Sequence, residues 1–212
     1  MITTSIAGLY AILDTDLVEQ ELVSAAEQAV KGGARVLQYR DKKGESATRL
    51  EQAQQLQKIC QRHQIPFIIN DDVMLARAVD AAGVHLGRHD AGLEAARTLL
   101  GPDKIIGVSC YNDLALAQEM VQQGADYVAF GSFYASNTKP AAVRAPLTLL
   151  MEAKKTISVP LVAIGGITPD NTPELIKAGA DAVAVISGIF AGNDYCKAAR
   201  QYAMLFDHNH DQ

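Results

Sequence analysis

Short apolar runs alternate with longer segments that are apolar on one face only, and the alternation continues along nearly the whole chain. The short runs are Gly8 to Leu13, Val36 to Arg40, Pro66 to Asn70, Gly83 to Gly87, Ile105 to Ser109, Tyr127 to Gly131, Pro160 to Gly166 and Ala182 to Ser187, and each reads as a buried strand. The longer segments, among them Leu17 to Lys31, Ser46 to His63 and Leu114 to Gln123, set Glu, Gln and Lys against Leu, Ala and Val at helical spacing, and a last helix is expected at about Asp194 to Phe206. A weak internal repeat marks the joints. Lys31-Gly32-Gly33-Ala34, Ala82-Gly83-Val84, Gly124-Ala125-Asp126 and Gly179-Ala180-Asp181 all stand just before a strand, where glycine supplies the turn out of a helix. Strict β/α alternation over eight strands predicts an α/β protein, a single (β/α)8 TIM barrel spanning residues 1–212 with a short tail from about 207. A doubly wound open sheet is the alternative, because periodicity does not establish closure.

In such a fold the chemistry belongs at the C-terminal ends of the strands. The third run ends abruptly in Asn70-Asp71-Asp72, and the fourth is followed within a few residues by Asp90. If these strands are neighbours, about 4.8 Å apart, Asp71 and Asp90 reach one rim and can share a hard cation. The plainer reading is that Asp71 or Asp72 caps a helix beginning near Val73. Gln38, Arg40 and, if the extended form persists, Lys42 fall on one face of strand two. Two cations and an amide at this period suit an anion, whereas solvated residues paired with Asp41 or Glu45 are the ordinary alternative. Tyr10 is expected to pack, and His85, inside an apolar run, to be a hydrogen-bonded core histidine. Ser109 ends strand five. The polar loop Gly131 to Pro140, which carries Ser136, Asn137, Thr138 and Lys139, suits a lid or an ordinary surface turn. Gly165-Gly166 with Thr168 as helix cap and Pro169 in the first turn, together with Ile186-Ser187-Gly188, place glycine-freed amides where barrels of this type hold phosphate; a tight turn alone is the simpler reading.

Composition narrows the field. A net charge of −5 without any Lys/Arg run argues against nucleic acid as a partner. No apolar run approaches membrane-spanning length, so no membrane association is expected. Met1-Ile2-Thr3-Thr4-Ser5 lacks a basic segment leading into an apolar one, which points to the cytosol. Cys60, Cys110 and Cys196 are odd in number, far apart and without CxxC spacing, and read as small buried hydrophobes. The tail His208-Asn209-His210-Asp211 carries metal-binding residue types, but terminal residues usually fray.

Taken together, Gln38-Tyr39-Arg40-Asp41-Lys42, Asn70-Asp71-Asp72, His85-Leu86-Gly87, Gly107-Val108-Ser109, Ser136-Asn137-Thr138-Lys139, Gly165-Gly166-Ile167 and Val185-Ile186-Ser187 resemble, in order, the motifs of the thiamine-phosphate synthase (pyrophosphorylase) family. The resemblance implies a (β/α)8 barrel that joins a hydroxymethylpyrimidine diphosphate to a thiazole phosphate with Mg2+ and releases pyrophosphate. It implies Asp71 and Asp90 as magnesium ligands. Gln38, Arg40, Lys42, Asn70, Ser109, Ser136, Thr138 and Lys139 then surround the pyrimidine and its diphosphate, with Arg40, Lys42, Ser109 and Lys139 nearest the chemistry. Gly166, Ile186 and Ser187, with Ser136 and Thr138 from the loop, take the thiazole phosphate. Arg88 and His89 precede Asp90 where the family usually has Gln and another residue, and Ala135-Ser136 stand where it usually has Pro-Thr. A thiazole-phosphate tautomerase of the same fold and a silent barrel that binds thiamine phosphates are the competing readings; the partners are small phosphorylated molecules, and a homo-oligomer stays open.

Overall fold

A computed structural model describes residues 6–18, 21–87, 92–135 and 143–207. Eight parallel strands close on themselves in sequence order, β1-β2-β3-β4-β5-β6-β7-β8, which decides the barrel over the open sheet. They are β1 (Gly8–Asp14), β2 (Val36–Arg40), β3 (Phe67–Asn70), β4 (Gly83–Leu86), β5 (Ile105–Tyr111), β6 (Tyr127–Phe130), β7 (Leu161–Ile164) and β8 (Ala182–Val185). Each predicted run holds its strand, with ends moved by a residue or two. β1 extends one residue further, to Asp14, and β5 two further, to Tyr111, past an irregularity in its pairing with β6.

Strand alternation separates two cores. Leu9, Ala11, Leu13, Leu37, Phe67 and Ile69 face outward and pack with the helices, whereas Tyr10, Ile12, Val36, Ile68, Ile105, Tyr127, Val162, Ala182 and Ala184 fill the barrel. Nearly all of these are shut off from solvent, which explains why the strands read as continuous apolar runs rather than as alternating ones. Cys60 and Cys110 are buried, and burial pushes the Cys110 thiol up to about 12 and Cys60 upward as well. Cys196 is only partly buried, so it is not the core residue expected.

The helices are α1 (Thr15–Val18), α2 (Leu22–Lys31), α3 (Ser46–His63), α4 (Val73–Ala78), α5 (Leu93–Leu100), α6 (Leu114–Gln122), α7 (Leu147–Thr156), α8 (Thr172–Ala178), α9 (Ser187–Phe190) and α10 (Tyr195–Asp207). The helix expected over Leu17 to Lys31 is two segments, α1 and α2, with residues 19–20 outside the described residues. The regular part of α8 begins at Thr172, with Asn171 before it and Pro173 in its first turn. Thr168 nevertheless makes the cap contacts expected of it. Its amide donates to Asn171 Oδ1 at 2.9 Å, its Oγ1 accepts from the Asn171 amide at 3.4 Å, and the Thr172 amide and hydroxyl both donate to the Thr168 carbonyl. The expected tail beyond Asp207 lies outside the described residues.

Candidate active site

The strand register brings most of the predicted residues to one end of the barrel. Asp14 is paired with Arg40, Ile12 with Gln38, Gln38 with Ile68, and Asn70 with His85 across successive strands. Arg40 binds neither Asp41 nor Glu45. Its guanidinium forms an ion pair with Asp14, whose side chain is 6% exposed at the tip of β1. Asp14 was not among the predicted site residues; its signal was the period of two that continues Tyr10 and Ile12 one step past the expected end of the strand. Strand β2 stops at Arg40, so Lys42 leaves the extended form, yet its ammonium still turns to the rim and meets Asp71 Oδ2 at 3.3 Å.

Asp41 builds the turn between them. Burial alone would raise its carboxyl, but the amides of Lys43 and Gly44, at 2.9 and 2.8 Å, and the Tyr39 hydroxyl hold it below the usual carboxylate value. Lys43 points elsewhere, to Asp16 at 2.9 Å, and both side chains are exposed.

The acidic doublet divides its work. Asp72 is the helix cap: its Oδ1 accepts from the Leu75 amide at 2.9 Å, and Arg49 of α3 pairs with its other oxygen at 3.0 Å. Asp71 is therefore released from capping. It takes a left-handed backbone with φ of 64°, and its amide donates to the His85 carbonyl at 2.8 Å, which fixes it at the β3–β4 rim. β3 and β4 are neighbours in the sheet, so Asp71 stands beside the strand that leads to Asp90. Asp90 itself lies outside the described residues, as do Ser136, Thr138 and Lys139; among the described residues no cluster of three His, Cys, Asp or Glu side chains is arranged to hold a metal.

His85 is the hydrogen-bonded core histidine expected, but its partners reach further than the sequence suggested. Its Nδ1 lies 2.9 Å from the Tyr127 hydroxyl and its Nε2 2.8 Å from Ser109 Oγ. Tyr127 in turn meets the Tyr10 hydroxyl at 2.9 Å, and Gln38 Nε2 donates to Tyr10 at 2.7 Å. Tyr10 thus packs and also carries a polar bond. Tyr127 was missed; its partner signal is Gly107, opposite it in the register, where a Cβ would run into the Tyr127 ring. The ring occupies the space that a side chain at Gly107 would need, and it stacks on His85 with centroids 5.5 Å apart.

Across the mouth, the β7 and β8 loops are held by α10. Tyr202, buried, donates to the Ile167 carbonyl at 3.0 Å, and its hydroxyl fills the space beside Gly188. Ile186 and Ser187 follow β8 into the short turn α9, whose first amides have no intrahelical acceptor. Gly166 has φ of 64°, and a Cβ there would meet Ala135 and Tyr134 of the β6 loop. Its lack of a side chain therefore serves loop packing as much as any ligand. The amides of Phe133 and Tyr134 donate to Ile164 and Gly165, so the start of the proposed lid is anchored to β7, and the Tyr134 hydroxyl binds Glu174 of α8.

A closed (β/α)8 barrel with its buried ion pair and its amide, hydroxyl and carboxylate groups gathered at the C-terminal rim defines an enzyme barrel acting on small molecules. A sequence model described as thiamine monophosphate synthase matches residues 9–189. Thiamine-phosphate synthase of Nitrosococcus oceani is 52% identical over 205 residues, covering 96% of this chain and 94% of that protein. The protein of the same name from Methylobacillus flagellatus is 51% identical over 202 residues, 95% of this chain and 96% of that one. Among solved structures, thiamine phosphate pyrophosphorylase from Pyrococcus furiosus superposes with a TM-score of 0.87 at 33% identity, covering 97% of this chain and 98% of that chain. The chain belongs to the thiamine-phosphate synthase family and is a transferase of thiamine biosynthesis.

Proposed function

We propose that the chain couples hydroxymethylpyrimidine diphosphate with hydroxyethylthiazole phosphate, giving thiamine phosphate and pyrophosphate, at the rim formed by Gln38, Arg40, Lys42, Asn70, Asp71 and Ser109. The observation that carries this assignment is the position of Asp71. Asp72 does the capping, so Asp71 is left at the rim beside Lys42, next to the strand that leads to Asp90. The donor set is oxygen only, with Asn70 adjacent, and suits hard Mg2+, which takes one or two carboxylates and substrate phosphates rather than a full protein cage. Asp71 and Asp90 would hold it, and its chemistry there is neutralisation of charge on the departing diphosphate.

Arg40 and Lys42 supply further positive charge from the protein. Arg40 is held by Asp14, and a guanidinium fixed before the substrate arrives stabilises developing charge without having to reorganise. Lys42, bonded only at 3.3 Å and half-exposed, can exchange Asp71 for a phosphate oxygen. In this reading Lys139, Ser136 and Thr138 add to the groups around the diphosphate. Departure of diphosphate before the thiazole nitrogen attacks needs no protein nucleophile; it needs the substrates held in line and water kept from the pyrimidine cation. Gly166, Ile186 and Ser187 form the thiazole-phosphate end. Such a reaction suits a cytosolic enzyme with no macromolecular partner. No helix among the described residues is long and apolar enough to cross a membrane.

The test mixes the purified chain with both phosphorylated substrates and Mg2+ and follows pyrophosphate and thiamine phosphate together. Both should appear in equal amounts and stop in EDTA. Full turnover in EDTA would remove the metal from the scheme, and release of pyrophosphate without thiamine phosphate would remove the coupling.

A further inference from the structure

A continuous line of polar groups crosses the otherwise apolar barrel interior: Gln38 on β2, Tyr10 on β1, Tyr127 on β6, His85 on β4 and Ser109 on β5. Tyr10 and Tyr127 are sealed, 1% and 0% exposed, and Gln38 is 2% exposed just below Arg40 on β2, while His85 and Ser109 are partly open. Buried polar groups are costly unless they are satisfied, so each proton in this line must have an acceptor.

The proton positions can be counted from the Gln38 end. An amide nitrogen only donates, so Gln38 Nε2 places its hydrogen on the Tyr10 oxygen. Tyr10 then has one hydrogen of its own, and the neighbour available to it in the line is the Tyr127 oxygen. Tyr127, accepting from Tyr10, turns its hydrogen to His85 Nδ1. Burial raises both phenols far above neutrality, so both hydrogens are present. A ring that accepts at Nδ1 carries its hydrogen at Nε2, and Nε2 faces Ser109 Oγ.

We propose that Tyr10 and Tyr127 are positioning residues: they pass the donor sense of the Gln38 amide to His85, fix its ring as the Nε2–H tautomer, and so direct the Ser109 hydroxyl hydrogen toward the barrel mouth. Ser109 is thereby a donor to substrate. His85 is not its general base, because the nitrogen facing it already holds a hydrogen. The opposite ordering would have Ser109 donate to His85, the arrangement of an activated nucleophile. The ordering follows from the hydrogen-bond line alone; its catalytic consequence rests on the reaction proposed above, for which a hydroxyl donor is useful and a nucleophile is not.

The experiment uses the full chain labelled with 15N-histidine, without substrate, at a pH where the His85 ring carries one proton. His85→Gln identifies its signals. A single tautomer is expected, with a protonated-type Nε2 and an unprotonated-type Nδ1; a protonated Nδ1, or an averaged pair, overturns the ordering. Transmission is tested with Gln38→Glu at pH 9, with the new carboxyl confirmed as ionised by its 13C shift. A carboxylate can only accept, so both phenol hydrogens should reverse and His85 should switch to Nδ1–H. Retention of Nε2–H beside an ionised carboxylate overturns the relay. Should that variant not fold, the wild-type spectrum decides the ordering by itself. Thiamine phosphate formation by the wild type is scored separately, so a wrong tautomer with normal turnover sinks this inference and leaves the reaction standing.

Discussion

At the base of the barrel Asp181 Oδ2 accepts the Leu161 amide at 2.8 Å while its other oxygen binds Lys154 at 2.6 Å, whereas at the mouth Asp71 faces Lys42 at 3.3 Å across a partly open rim. Asp126 repeats the basal pattern, taking the Ile106 amide at 2.7 Å and Arg97 at 2.6 Å. Each basal aspartate ties its own strand to the start of the neighbouring one and is neutralised by a cation from the helix behind it. The repeated Gly-Ala-Asp is this device: Gly124 and Gly179 end their helices with positive φ, the alanine is buried, and the aspartate closes the staple. The same two groups, carboxylate and cation, are therefore committed to structure at one end and exchangeable at the other. What separates them is whether a backbone amide and a covering helix have already taken up the charge.

The largest effect expected from this contrast is at the mouth. Asp71→Asn keeps a residue that tolerates left-handed backbone, so the melting temperature should move little, while kcat/KM for the pyrimidine diphosphate falls about 100- to 1,000-fold, the size of a lost electrostatic contact to a transition state. Near-normal turnover at low Mg2+ would return Asp71 to a structural role. Asp181→Ala should do the reverse. It strands the Leu161 amide and Lys154, so denaturant midpoints should report a loss of about 1–3 kcal/mol, with KM for both substrates unchanged. A KM shift without a stability loss would mean that the two ends are not separate. The smallest effect divides neighbours: Lys42→Ala should raise KM for the diphosphate about tenfold, the weight of one charged contact. Lys43→Ala should leave kinetics and stability alone, because its pair with Asp16 is exposed and exposed pairs contribute little. Equal effects of the two lysines would place Lys42 outside the site.

Much of this was legible in the chain. The eight apolar runs predicted eight strands, and the doublet Asp71-Asp72 predicted that one of the two acids caps the next helix, as Asp72 does, because capping and burial are local and leave a local pattern. Gly107 and Tyr127 show where legibility stops. Nothing near either residue signals the other; they meet because β5 and β6 pair in one register, and that register is set by the whole closed sheet. Asp14 was overlooked for a similar reason, since its value lies in Arg40, a strand away. The His85 partners were hidden too: a lone histidine in an apolar run says that it needs hydrogen bonds, and not with whom.

The sequence by itself determined the strands, the helices and the order of the motifs, since hydrophobic period and turn chemistry act over a few residues. Closure of the barrel, the division of interior from helix layer, and the line from Gln38 to Ser109 were decided only in three dimensions. A closed parallel sheet staggers each strand against the next, and that stagger chooses which distant side chains share a level inside the barrel.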